Sequence, residues 1–170
     1  QTFPQRIEAN PAFINYPGEL GKFNYGEGVF VGYRYYEAKR VAPLFPFGYR
    51  LSYASFRYAN LRLSAATIGP DDTLKVRVDV TNTGDRAGHE VIQLYVGDPV
   101  AAVQRPPKEL KAFAKVLLAP GETRTMELVR DRRSLAYYDD VAGQWVAEAG
   151  EFVVAVGGSS AAIAAEARFT

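Results

Sequence analysis

Among the residues able to do chemistry, Glu27 stands out, set between Gly26 and Gly28 where the backbone is free to approach a ligand. A carboxylate there either shapes a binding pocket, with Arg34 as its counter-ion, or orders its own loop by accepting backbone N–H groups. The same glycines, Gly26-Glu-Gly28-Val-Phe-Val-Gly32, hint at a phosphate loop. That fingerprint needs two residues between its last two glycines and a helix after them. Here three residues intervene and strand formers come next, so phosphate binding is set aside. His89 is the only histidine, which removes a histidine metal cluster and argues against a serine triad. As the residue after Gly88 at the start of an expected strand, it reads as a turn or surface group.

Asp71-Asp72 and Asp139-Asp140 offer paired oxygens, but neither has the loop spacing of a calcium site, which takes six to eight ligands. Both fit turns in which Asp accepts nearby backbone amides. The run Arg130-Asp-Arg-Arg133 reads as a solvated turn or a protein contact rather than a polyanion site. Trp145, the only tryptophan, reads as core or interdomain packing, with a sugar-stacking platform as the functional alternative. No paired acid and base, nucleophile or metal set emerges, and no cofactor is implied.

Composition narrows the classes further. The chain has 170 residues, 48% hydrophobic and 23% charged, enough for one domain with its own core. Twenty basic residues against 19 acidic ones leave a net charge of +1. Nucleic-acid binding needs a concentrated basic face, so no nucleic acid is expected. No apolar run approaches the roughly 20 residues of a membrane span, and no membrane partner is expected. The absence of cysteine removes disulfides and thiolate chemistry and leaves the compartment open. The sequence begins at Gln1 with no start methionine and no basic-then-apolar leader pattern, so either a processed product or a fragment of a longer polypeptide is expected, the fragment first.

The elements that must position these groups change character near residue 58. Fifteen of the 22 aromatic residues lie in the first 58 positions, among many prolines and glycines that oppose a helix. The run Gly28–Tyr36 is rich in strand formers and is expected to be the arm's one strand. One strand has nothing within itself to cover so many rings, so the arm packs either on the domain that follows it or on polypeptide outside this sequence, and the second is expected. Residues 59–170 read as all-β. Leu74, Val76, Val78 and Val80 alternate with polar residues, as do Ile92, Leu94 and Val96 with Gln93 and Tyr95. Further strands are expected at 61–65, 109–118, 122–130, 151–157 and 161–169, suggesting a two-sheet sandwich.

Tyr25-Gly-Glu-Gly-Val-Phe-Val-Gly-Tyr-Arg-Tyr-Tyr36 with Pro43-Leu-Phe-Pro-Phe-Gly-Tyr49 resembles the segment joining the last two domains of family 3 glycoside hydrolases. Gly88-His-Glu-Val-Ile-Gln-Leu-Tyr-Val96, Pro107-Lys-Glu-Leu-Lys111 and Leu118-Ala-Pro-Gly-Glu122 resemble their terminal fibronectin type III-like domain. The resemblance implies that residues 1–50 end an α/β-sandwich domain and form the interdomain linker, and that residues 51–170 form the fibronectin type III-like domain. It implies a retaining, β-glucosidase-like enzyme acting on non-reducing terminal β-linked sugars, with an aspartate nucleophile and a glutamate acid/base upstream of this chain. Catalytic residues are therefore expected to be absent here. The N-terminal catalytic portion is the implied partner and would supply the contact with the β-glycoside or oligosaccharide. Tyr25, Phe30, Tyr33, Arg34, Tyr35, Tyr36, Phe45 and Phe47 are the expected interdomain packing set. The alternative is a free-standing binding module. Two departures bear on local geometry. Arg50 stands where the family usually has glycine, a strained choice if φ is positive there. Asn10 stands near where the family often has aspartate.

Overall fold

The computed structural model describes residues 1–69 and 72–170, so Asp71 of the first aspartate pair lies outside the described residues. Among the described residues, nine strands come after the arm: β1 (Phe56–Leu63), β2 (Leu74–Asn82), β3 (Gly88–Gly97), β4 (Glu109–Leu118), β5 (Thr123–Arg130), β6 (Tyr137–Asp139), β7 (Gln144–Val146), β8 (Phe152–Ser159) and β9 (Ala162–Phe169). They form an antiparallel sheet of order β1-β2-β5, a second of order β4-β3-β8-β9, and a separate β6-β7 hairpin. The two larger sheets are the layers of the expected sandwich.

The β2 alternation does what its period dictates. Val76, Val78 and Val80 are fully buried, while Lys75 and Arg77 face solvent. Across the core they meet Ile92, Leu94 and Val96 of β3 and Val154 and Val156 of β8. Such side chains each contribute about 1.5–3 kcal/mol by leaving water. Asn82, also buried, ends β2 by donating to the carbonyls of Arg86 (2.7 Å) and Leu118 (3.0 Å), while its side-chain oxygen accepts from Gly84 N–H. The turn after β2 is thereby stitched to the end of β4.

Two expectations need correction. The run Gly28–Tyr36 is not a strand. Tyr25–Gly28 is a turn, closed by Gly28 N–H donating to Tyr25 O at 3.0 Å, and Tyr33–Ala38 is a six-residue helix, α1. Gly32 breaks the run at φ 55°, a region a residue with a side chain seldom enters. Once the chain has turned, rings three positions apart in a helix share a face, and Tyr33 and Tyr36 are held by what they pack on rather than by strand propensity. The second correction concerns β3, which is buried on both faces. Gln93 and Tyr95, expected to point outward to solvent, are as inaccessible as Ile92 and Leu94. Their cover is the arm itself.

Candidate functional site

Residues 33–50 lie across the outer face of β3 and the start of β4. Tyr33 packs edge-on against Tyr95 with ring centres 5.7 Å apart, and against Phe47 at 5.4 Å. Its hydroxyl oxygen accepts the Leu110 backbone N–H at 2.7 Å. One turn along α1, Glu37 pairs with Lys108 Nζ at 2.7 Å, and Lys108 also lies over the Tyr95 ring. Arg34 reaches Glu109 at 3.5 Å. Three consecutive residues of the sandwich, Lys108, Glu109 and Leu110, thus hold three side chains of one short helix.

Behind this clasp sits Arg105, nearly inaccessible, which binds Glu109 at 3.0 Å, Asp98 at 3.2 Å and the Leu135 carbonyl at 2.8 Å. Lys111 adds a contact to Glu109 at 3.0 Å. Burial by itself would raise the Glu109 carboxyl, but Lys111 and Arg105 outweigh it and hold the group below its ordinary value of 4.5. Glu37 moves the other way, raised by burial against the pull of Lys108. Glu109 therefore contributes stability that is present above pH 4.5 and is lost as pH falls through its lowered folded value. Glu109→Gln is expected to flatten the acid limb of the thermal stability profile below pH 4.5, leaving the slope due to other carboxylates such as the half-buried Asp79, also held low. An unchanged acid limb in this variant would contradict the clasp.

A second attachment lies at the end of the arm. Ser160 N–H donates to Phe47 O at 2.8 Å, and Gly48, at φ 82°, crosses over Gln93 with no room for a side chain. Arg50 is not in a positive-φ conformation; the strain expected there does not arise. Its guanidinium instead enters the sandwich to pair with Glu90, using the space left by Gly158. Glu90 shares the inward face of β3 with Ile92 and Leu94 and is fully buried. It also accepts from Tyr58 Oη, whose own ionisation burial pushes up to about 12. No sequence pattern signalled this triad, because Arg50, Tyr58 and Glu90 are far apart in the chain and none belongs to a motif of paired charges.

The remaining sequence-predicted residues divide. Tyr36 is buried within the chain, and Tyr33, Tyr35 and Phe47 are partly covered. Tyr25 remains 76% exposed and Tyr16 74%. Phe45 meets Phe3 edge-on and Tyr49 at a tilt yet stays exposed, and Phe30 is half-buried. Glu27 does not pair with Arg34, whose partner is Glu109; its Oε2 is enclosed with no hydrogen-bond partner. His89 lies exposed on β3, as a surface residue would. Asp139 accepts from the Val141 and Ala142 N–H groups at 2.9 Å, which is turn chemistry. Trp145 is not in the core: it is 48% exposed on β7, beneath the Arg133 guanidinium at 3.5 Å. Among the described residues no group of three or more His, Cys, Asp or Glu is placed to hold a metal ion, and no helix is long and apolar enough to span a membrane.

Comparison with known proteins fits this anatomy. A fibronectin type III-like domain family matches residues 90–160. The thermostable β-glucosidase B of Acetivibrio thermocellus is 45% identical over 160 residues, covering 94% of this chain and 21% of its own length. A putative β-glucosidase of Schizosaccharomyces pombe is 42% identical over 99% of this chain and 20% of its own. The crystal structure of a Bifidobacterium adolescentis GH3 β-glucosidase superposes with a TM-score of 0.94 at 46% identity, covering all of this chain and 25% of that one. The chain thus spans only about a fifth to a quarter of these relatives. It corresponds to the C-terminal portion of glycoside hydrolase family 3 β-glucosidases and includes a fibronectin type III-like domain.

Proposed function

We propose that this chain is the bracing C-terminal part of a retaining β-glycosidase, β-glucosidase-like in substrate, whose two catalytic carboxylates are supplied by upstream domains. A retaining hydrolase needs a nucleophile and an acid/base about 5–5.5 Å apart across the scissile bond. In this reading the sandwich holds the arm, and residues 1–50 complete the upstream α/β-sandwich domain.

The observation that carries the proposal is the uncovered apolar surface at the front of the arm. Phe3, Phe13, Ile14, Tyr16, Leu20 and Tyr25 are each between 43% and 100% exposed, all within 25 residues. Exposed apolar patches of this extent mark contact surfaces, and relatives of this chain carry most of their length outside the region it matches. Glu27, with its enclosed and unpartnered Oε2, is the arm's candidate for a contact with an upstream donor or with the sugar itself.

Coexpression with the upstream portion of the same enzyme is expected to give hydrolysis of an aryl β-glucoside at least a hundredfold above either piece alone. Two inactive pieces that stay inactive together would overturn the proposal. So would measurable glycan affinity of this chain alone with no binding to the upstream portion, the behaviour of a free-standing module.

A further inference from the structure

The β6-β7 hairpin, beside the arm, forms a sheet of its own with three-residue strands. An isolated two-stranded ribbon of that length is marginal in water, yet this one is reinforced at its middle pair and at its turn. Arg133 lies on the Trp145 ring, Tyr138 meets the same ring edge-on at 5.4 Å, and Asp139 with Gly143 (φ 65°) forms the turn. The reinforcement holds apolar groups in solvent. Val141 at the tip is 94% exposed, Tyr138 53% and Trp145 48%.

Between this hairpin and the arm runs a cleft of about 970 Å³, with Val29 and Arg34 of the arm on one wall and Tyr138 and Trp145 on the other. Trp, Tyr and Arg around an apolar tip are the residue types that dominate the energy of protein interfaces. The cleft's charges are mixed, Arg34, Arg105, Lys111 and Arg133 against Glu109, Asp139 and Asp140, and several are already paired with one another. Such a balance does not suit a polyanion. One face of Trp145 is already occupied by Arg133, which disfavours a sugar ring stacked there. One wall of the cleft belongs to the arm, so a body seated on the arm's exposed rings extends naturally into it.

Resting on the reading of this chain as the C-terminal part of a longer enzyme, we infer that the β6-β7 hairpin is a second grip on that enzyme's upstream portion. The partner inserts an apolar segment between Val29 and Trp145, with Val141 at its centre. The arm and the hairpin then hold it from two sides, which fixes the orientation of the sandwich as well as its attachment.

The test uses the full 170-residue chain and the separately produced upstream portion. 5-Fluorotryptophan labelling gives one fluorine resonance, at Trp145, because the chain has a single tryptophan. Addition of the upstream portion is expected to shift that resonance. Val141→Asp is expected to weaken association at least tenfold while its own melting temperature stays at the wild-type value. Leu117→Asp, on β4 at 51% exposure, is the control and is expected to bind as wild type. Wild-type binding with an unmoved resonance and an unaffected Val141→Asp overturns the grip while leaving the larger reading intact. No binding by the wild-type chain overturns both. A resonance shifted by cellobiose, but not by the upstream portion, replaces the grip with a saccharide site.

Discussion

A chain shortened to begin at Tyr33 is expected to fold nearly as well as the full chain and to lose all ability to restore glycosidase activity to the upstream portion. The reason is how the arm divides. Among the described residues, the hydrogen bonds of residues 1–30 to later parts of the chain run to Leu44 and Phe45 alone, from Phe3. Residues from Tyr33 onward are tied to the sandwich through Leu110, Lys108, Glu109 and Ser160. Removing the first 32 residues deletes exposed rings and few internal contacts, so the melting temperature should move by no more than a few °C. A change near 1 kcal/mol corresponds to about 2–4 °C at this size. Complementation should fall to background, because the deleted rings are the surface proposed to meet the upstream domain. The same division predicts where protease stops. Digestion of the isolated chain should trim it to about residue 32 rather than to residue 50, since the clasp protects α1 and the rest of the arm behind it. A shortened chain that complements fully would remove the basis of the proposed function.

Arg50→Ala is the substitution expected to cost the most stability. Its partner Glu90 has no exposed surface, whereas Arg50 itself is about one-third exposed at 35%. Removing the cation leaves a buried carboxylate with only the Tyr58 hydroxyl to compensate it. Breaking a buried ion pair from one side costs about 3–5 kcal/mol. The partial exposure of Arg50 and the surviving Tyr58 bond place this one near the lower figure. A loss of about 3 kcal/mol corresponds to a fall of roughly 6–12 °C in melting temperature. The double variant Arg50→Ala/Glu90→Gln should recover much of it, because the uncompensated charge is gone while the hydrogen bond to Tyr58 remains possible. A single variant within 0.5 °C of wild type, or a double variant worse than the single, would show that the buried triad does not hold the arm's end in place.

The places where sequence reading succeeded and failed have a common physical cause. Expected strands at 109–118, 122–130 and 161–169 lie within a residue of β4, β5 and β9, because alternation along a strand reports burial of one face by one other layer. The same logic misjudged Gln93 and Tyr95. Their outward side is covered by a segment some fifty residues earlier, and no local period encodes that. The Gly28–Tyr36 run was misjudged because its residue types favour a strand while its packing partners, Tyr95, Glu109 and Leu110, lie elsewhere in the chain. The β6-β7 hairpin is too short to carry a period at all.

The amino-acid order alone therefore determined the sandwich, its alternating core, the family resemblance and the excess of aromatic residues at the front. Which of those rings face inward was decided only in three dimensions. Tyr36 is buried and Tyr25 is not, although both lie in one aromatic-rich stretch. The difference arises where Gly32 turns the chain and where a buried carboxylate on β3 captures Arg50, and both depend on surfaces that exist only after the sheets have paired.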